Sequence, residues 1–350
     1  MSTTWIEVRA GERARQHIAR QGLVAADIAC VPAAAGGPKG LVLMPLDRLL
    51  LAEWLPSTAR VEFVGASIGA WRMAALAQAD PLSALDRLQH AYVHEQNYSE
   101  NPTPTQVGAV CRGLARSVLA NGRLQIRAGV TLSILTARAQ GGLQSRGRGA
   151  FARAALANAA GRRYLASHLR RVVFAAGGAS QFSAPFDAFG LERIALSAAN
   201  AEDALLASGS IPLVCDPVSA IAGAPPGDYW DGGLIDYHLL LPYPDLERLV
   251  LYPHFVPWVT PGWLDKYLPW RARPRGHDWL SNVLLIAPSR AMLGRLPNGK
   301  LPDRSDFYRY GTDHATRIKV WEQAIAEAQR FADAATTWLQ SPDPSIVQPL

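Results

Sequence analysis

Cysteine is scarce. The 350 residues hold three, Cys30, Cys111 and Cys215, far apart and with no C-x-x-C pair. That spacing argues against a disulfide framework or a thiolate zinc site, and it fits a reducing compartment. Long apolar runs are missing as well, and none approaches the ~20 residues that cross a bilayer. The first residues, "MSTTWIEVRAGERARQ", carry no apolar segment followed by small residues of the kind a secretory signal needs. The expected location is therefore the cytoplasm, or outside by a route that leaves no such mark. Lysine and arginine exceed acidic residues by 35 to 29. No dense basic run with interleaved aromatics appears, so nucleic acid is discounted as a partner. Internal repeats and low-complexity linkers are absent, and one domain over residues 1–350 is the expectation.

What is present alternates. "DIACVPA" reads as a buried strand ending in a Gly-Gly turn. Leu41 to Leu55 reads as a helix that Pro45 either kinks or begins. "VEFVGAS" reads as a second strand, with "IGAWRMAALAQA" as the helix after it. Asp80 caps a further helix with Pro81 in its first turn. Residues 97 to 170 are harder to read. They look mostly helical, with one strand at "AGVTLSILTA". "RVVFAAG", "LERIALSA" and "RLVLYPHF" are later strands, and residues 313–340 form a long C-terminal helix. Strand, turn and helix in repetition imply an α/β layered fold with a mainly parallel sheet.

Three short stretches carry chemistry. Gly65-Ala66-Ser67-Ile68-Gly69 is a G-x-S-x-G. It is loose alone and is otherwise a plain strand-to-helix connection. Here an apolar strand ends at it and a helix begins at it, as a nucleophile elbow requires. The serine is then left at a helix N-terminus, where negative charge is favoured. The second stretch, "AAAGGPKG", offers consecutive glycine N–H groups at a strand end. Gly36 and Gly37 can donate to an oxyanion, whereas Pro38 has no N–H. Lys39 adds positive potential or meets an anionic head group. A phosphate loop is a weaker alternative, because G-x-x-x-x-G-K-[ST] is absent. The third is Asp231-Gly232-Gly233, after the aromatic stretch "DYW". Alone it is an ordinary turn.

Taken together and in order, these stretches resemble the patatin-like phospholipase family. That family is marked by a G-G-G-x-[RK]-G loop, a G-x-S-x-G and a D-G-[GA]. Here they stand as Ala35-Gly36-Gly37-Pro38-Lys39-Gly40, Gly65-Ala66-Ser67-Ile68-Gly69 and Asp231-Gly232-Gly233. Ala35 departs from the family's first glycine. "ALLASGSIPLVCDPV" also resembles the family's small-residue segment before the aspartate. The resemblance covers about residues 28–240, with a helical extension at about 313–340 beyond it.

The resemblance implies a three-layer α/β/α sandwich of patatin type around a central, mainly parallel sheet. It implies a serine-dependent lipid acyl hydrolase, a phospholipase or esterase, with a Ser–Asp dyad and no histidine. Ser67 would be the nucleophile, Asp231 the base, and Gly36 and Gly37 the oxyanion hole. Lys39, Gly40, Gly65, Gly69, Gly232 and Gly233 would support them. No metal or organic cofactor is expected, since the chemistry needs none. The partner is a lipid or other ester, with peripheral membrane contact as a further expectation.

Rivals remain at this stage. Ser67, Asp231 and His254 stand in the chain order of an α/β-hydrolase triad, and His238 is another candidate base. An acyltransferase or a non-lipid esterase could use the same dyad. A catalytically silent lipid-binding protein could keep the fold. Trp258, Trp263, Tyr267 and Trp270 crowd residues 254–270. They either touch lipid or cover the acyl pocket, or else they pack a loop onto the core.

Overall fold

The computed structural model describes residues 3–55, 60–119, 122–145, 147–182, 184–274 and 276–350. Among these residues eleven strands form one sheet. In chain order they are β1 (Ile6–Ala10), β2 (Ile28–Ala33), β3 (Val61–Ala66), β4 (Val130–Ala139), β5 (Leu169–Ala176) and β6 (Leu191–Ala195). There follow β7 (Val218–Ser219), β8 (Asp228–Asp231), β9 (Leu249–Pro253), β10 (Val283–Pro288) and β11 (Gln348–Pro349). The spatial order is β11-β1-β10-β9-β2-β3-β4-β5-β6, with β8 on β4 and β7 on β8. From β10 through β9, β2 and β3 to β4 every neighbouring pair is parallel. Antiparallel pairs lie outside that centre, where β1 meets β10 and β4 meets β5 and β8. The fold is thus α/β with a mainly parallel sheet flanked by helices.

The central strands are buried along their whole length. Every residue of β2, β3, β9 and β10 is inside. That burial explains their unbroken apolar runs, because helices cover a parallel sheet on both faces. Glu62 is the exception within β3. Ser133 and Ser180 hydroxyls each donate to it at 2.6 Å, and the Gln181 N–H at 2.8 Å. A buried carboxylate is tolerable only with such partners.

Several local expectations are met and others are not. Asp80 accepts the Ser83 N–H at 3.1 Å and Pro81 opens helix Pro81–His94. The C-terminal helix spans His314–Gln340. The stretch read as one helix from Leu41 to Leu55 is a 3₁₀ segment Gly37–Leu43, a short α-turn Met44–Asp47 and a π segment Arg48–Trp54. Pro45 sits in the first turn of the α piece, so it begins that turn. Strands β1 and β10, the helix Glu12–Gln21 and the tail strand β11 were not expected.

Candidate active site

Strand register brings the serine and the aspartate together. Strand β5 occupies one edge of β4 from Leu132 to Ala139. Strands β3 and β8 must therefore share the other edge. β3 runs parallel to β4 and stops with Ala66 beside Leu135. β8 runs antiparallel to β4 and stops with Asp231 beside Thr136. Their C-terminal ends meet head to head, and Ser67 follows at the junction.

Ser67 has φ 56° and ψ −132°, between β3 and helix Ile68–Leu76. A non-glycine residue there is strained by roughly 1–3 kcal/mol. Packing imposes the turn. A Cβ on Gly69 would lie 2.1 Å from the Ala33 carbonyl oxygen, so the helix can approach β2 this closely only with glycine there. Below the turn, Arg72 grips Asp47 through two 2.6 Å hydrogen bonds, both side chains being buried. That pair fixes helix Ile68–Leu76 on the segment after the glycine loop.

A second element fixes both Ser67 and Asp231. Helix Ala201–Gly209 ends in the segment "ASGSIP". The Ser67 N–H donates to the Ser208 hydroxyl at 2.9 Å, and that hydroxyl donates to the Leu135 carbonyl at 2.7 Å. The Asp231 N–H donates to the Ser210 carbonyl at 2.9 Å. Five residues beyond Asp231, Asp236 is held by buried Arg171, which also takes Asp187.

Ser67 and Asp231 border one cavity, and the Ser67 side chain lies near enough to the Asp231 carboxylate to favour its ionised form. The Gly233 N–H donates to that carboxylate at 2.7 Å. Burial raises the Asp231 pKa from 3.8 to about 6, against the opposing pull of Ser67, the Gly233 N–H and the Arg304 charge. A carboxylate near pH 6 is a far better base than a free one.

The glycine loop lies beside them. Gly36 and Gly37 border a cavity that also contains Ser67 and Asp231. Gly37 has φ 57°, in the left-handed region. Among the described residues neither glycine gives its N–H to a backbone carbonyl. Ala35, which replaces the expected glycine, needs no positive φ, and its N–H donates to the Tyr237 carbonyl at 2.9 Å. Lys39 borders the same cavity, and Gly40 packs against Ile68. Gly65 lies in β3, and Gly232 and Gly233 open the turn after β8. Sequence reasoning overlooked a further donor. The N–H of Ile68, first in its helix, has no carbonyl four residues back to receive it. In nucleophile elbows that N–H faces the oxyanion. Ser208, Lys266 and Arg304 were also passed over. Ser208 had a signal in the small-residue segment and Lys266 in the aromatic stretch 254–270, whereas Arg304 had none.

The histidines lie elsewhere. His254 is fully buried, and burial lowers its pKa to about 3. Its Nδ1 accepts the Val256 N–H at 3.0 Å. His238 packs on it at 4.4 Å, and its Nδ1 accepts the Thr260 N–H. Neither ring lines the cavities at Ser67. Of the crowded aromatics, Trp258 and Trp263 are half-buried, while Tyr267 and Trp270 are 64% and 72% exposed.

Two cavities of about 540 and 580 Å³ meet at Ser67. Among the described residues no group of His, Cys, Asp and Glu side chains could hold a metal ion, and no helix is long and apolar enough to cross a membrane. No protein-family model matches the chain, and no curated protein matches it.

Proposed function

We propose that the protein is a serine acyl hydrolase acting on carboxylic esters of lipids. The carrying observation is a strained Ser67 beside a buried carboxylate of raised pKa, where two cavities meet. The resemblance of its three motifs to the patatin-like phospholipases supports the same reading, including the three-layer sandwich of that family.

The chemistry follows from the groups present. Ser67 Oγ attacks the ester carbonyl as Asp231 takes its proton. The tetrahedral oxyanion lies against the N–H groups of Gly36, Gly37 and Ile68, each such donor contributing about 2.7–4 kcal/mol. The C–O bond then breaks, and the proton passes from Asp231 to the departing alcohol. Water, activated by the same carboxylate, attacks the acyl-enzyme. The fatty acid leaves and Ser67 regains its proton. His254 has no part, because its Nδ1 is engaged by the backbone and its ring is sealed in the core.

A fluorophosphonate probe tests the reading, together with hydrolysis across a panel of lipid esters. Labelling of the wild type that is lost in Ser67→Ala, with ester turnover lost in parallel, supports it. A folded wild type that takes no label and cleaves no ester overturns it and leaves a lipid binder.

A further inference from the structure

Two thiols stand in the wall of one cavity at Ser67. Cys111 and Cys215 both border the space that Ser67 shares with Trp71, Tyr92 and Val107. They come from different elements. Cys111 lies in the middle of helix Pro104–Val118, one turn after Val107 on the same side. Cys215 ends the loop that follows helix Ala201–Gly209. Polar contacts hold these elements side by side. The Thr105 hydroxyl donates to Asp216, the residue after Cys215, at 2.7 Å. Arg112, the residue after Cys111, bridges Glu202 and Asp203 at 2.7 and 2.8 Å. A tie therefore stands next to each cysteine in the chain.

The third cysteine behaves differently. Cys30 is sealed inside β2 and borders neither cavity at Ser67. Burial and then Glu62 push its thiol up, so it stays protonated and inert. Cys111 and Cys215 act on one another instead. Cys215 and then burial raise the Cys111 thiol, while Cys111 lowers the Cys215 thiol against the effect of burial. Cys215 thus inclines to the thiolate, the form that reacts, with a protonated thiol beside it. The cavity gives a small solute a route to both, and Tyr308 at its border is 83% exposed. The ester chemistry uses neither thiol.

We infer that Cys111 and Cys215 are a redox site, joined by a reversible disulfide when the protein meets a hydroperoxide, and that the bond slows turnover at Ser67. The Cys215 sulfur attacks the outer oxygen of the peroxide and the O–O bond breaks. The alkoxide or hydroxide that leaves takes up the proton Cys215 gave away. Cys215 then carries a sulfenic acid. The Cys111 sulfur attacks the Cys215 sulfur, the S–O bond breaks, and water departs with the Cys111 proton. Two electrons have passed from the two sulfurs to the peroxide.

The loop that ends at Cys215 is coupled to Ser67 and Asp231. Ser208 accepts the Ser67 N–H and Ser210 accepts the Asp231 N–H, both just before that loop. Leu213 within it has φ 67°, in the left-handed region, and the Cys215 N–H donates to the Ile211 carbonyl at 2.9 Å. Bonded sulfurs stand ~2.05 Å apart, well inside non-bonded contact. The bond draws the loop onto helix Pro104–Val118 and narrows the cavity between Val107 and Val214, both of which border it. The effect on turnover rests on the hydrolase reading, whereas the bond does not.

The test treats the native full chain with hydrogen peroxide, alkylates it after denaturation and maps its peptides by mass. The Cys111 and Cys215 peptides should be joined and together lighter by two hydrogens, with Cys30 alkylated. Hydrolysis of a soluble short-chain ester should fall by about tenfold and return with dithiothreitol. Cys111→Ser and Cys215→Ser, each measured against its own untreated rate, should lose this reversible inhibition. If neither variant folds, the wild-type map and its reversal still decide. Both thiols free after treatment, or a sulfenic acid left on Cys215 beside a free Cys111, overturns the inference. A joined pair with unaltered wild-type turnover overturns it as well, and the hydrolase reading stands in each of these cases. A joined pair in a protein that takes no fluorophosphonate and cleaves no ester supports the redox site and removes the hydrolase reading.

Discussion

The backbone N–H of Ser67 is tied to the hydroxyl of Ser208 by a 2.9 Å hydrogen bond across 141 residues of chain. The same hydroxyl closes onto the Leu135 carbonyl, so one buried side chain links the Ser67 turn to β4. Ser208→Ala leaves the Ser67 N–H and the Leu135 carbonyl without that partner in a dry interior. The expected cost is about 1–3 kcal/mol of stability. Turnover should drop by roughly tenfold or more, because the strained turn is then free to shift Ser67. Thermal melting and active-site-normalised kcat check the two effects. Unchanged turnover would mean that Gly69 and Arg72 hold the turn without Ser208.

The raised pKa of Asp231 links activity and stability with opposite signs. As a base the carboxylate must be ionised, so turnover should climb as pH rises through about 6. Stability runs the other way. Below pH 3.8 the group is neutral whether the chain is folded or unfolded. Between 3.8 and about 6 the unfolded chain ionises while the folded one keeps its proton. Stability is then lost as pH rises through that window, by about 3 kcal/mol in all. Asp231→Asn keeps an oxygen to accept the Gly233 N–H and never ionises. At pH 8 it should melt above the wild type while losing about 10²–10⁴ in turnover. A variant melting below the wild type at that pH would contradict the burial argument.

How much of this was legible in the sequence depends on range. The turn at Ser67 was legible because an apolar strand, a G-x-S-x-G and a helix stand side by side in the chain. The cap at Asp80 was legible for the same reason. The meeting of Ser67 and Asp231 was legible only through the family resemblance, because it depends on β3 and β8 sharing one edge of β4. No local pattern encodes that register. Arg304 was invisible as a site residue, since nothing near it in sequence hints at a cavity more than 200 residues earlier in the chain, whereas Lys266 stands in the aromatic stretch 254–270, a candidate cover of the acyl pocket. β1 and β10 pair antiparallel across most of the chain length, and short apolar runs at such separation read as loop or helix as easily as strand.

His254 tests the dyad from the other side. The residue stands where a triad histidine could be expected from chain order. Its ring is nonetheless fully buried, its Nδ1 already accepts the Val256 N–H, and burial holds its pKa near 3. His254→Ala should therefore lower stability, through a cavity and a lost acceptor, by about 1–3 kcal/mol, seen as a lower melting temperature. Turnover per fluorophosphonate-titrated site should stay close to wild type. Folded, titratable enzyme that no longer turns over would remove the histidine-free mechanism.

The exposed aromatics sort into two behaviours. Trp258 carries the Arg273 guanidinium 3.8 Å from its ring centre, and Trp263 packs edge-on to Tyr267 at 6.0 Å. Trp258 is part of the loop's own structure, and Trp258→Ala should cost stability with little effect on lipid contact. Tyr267 and Trp270 instead project from the loop, and Tyr267 borders the cavity that holds Asp231. Aromatic rings with a polar edge favour the interface between water and lipid. A cavity mouth that meets lipid would place these two rings in the head-group region beside Lys266. Tyr267→Ala/Trp270→Ala should then float with anionic liposomes several-fold less than wild type, while soluble short-chain esters are cleaved at near-normal rates. Equal flotation of the folded double variant would show that the aromatics cap the loop and leave lipid contact to other surfaces.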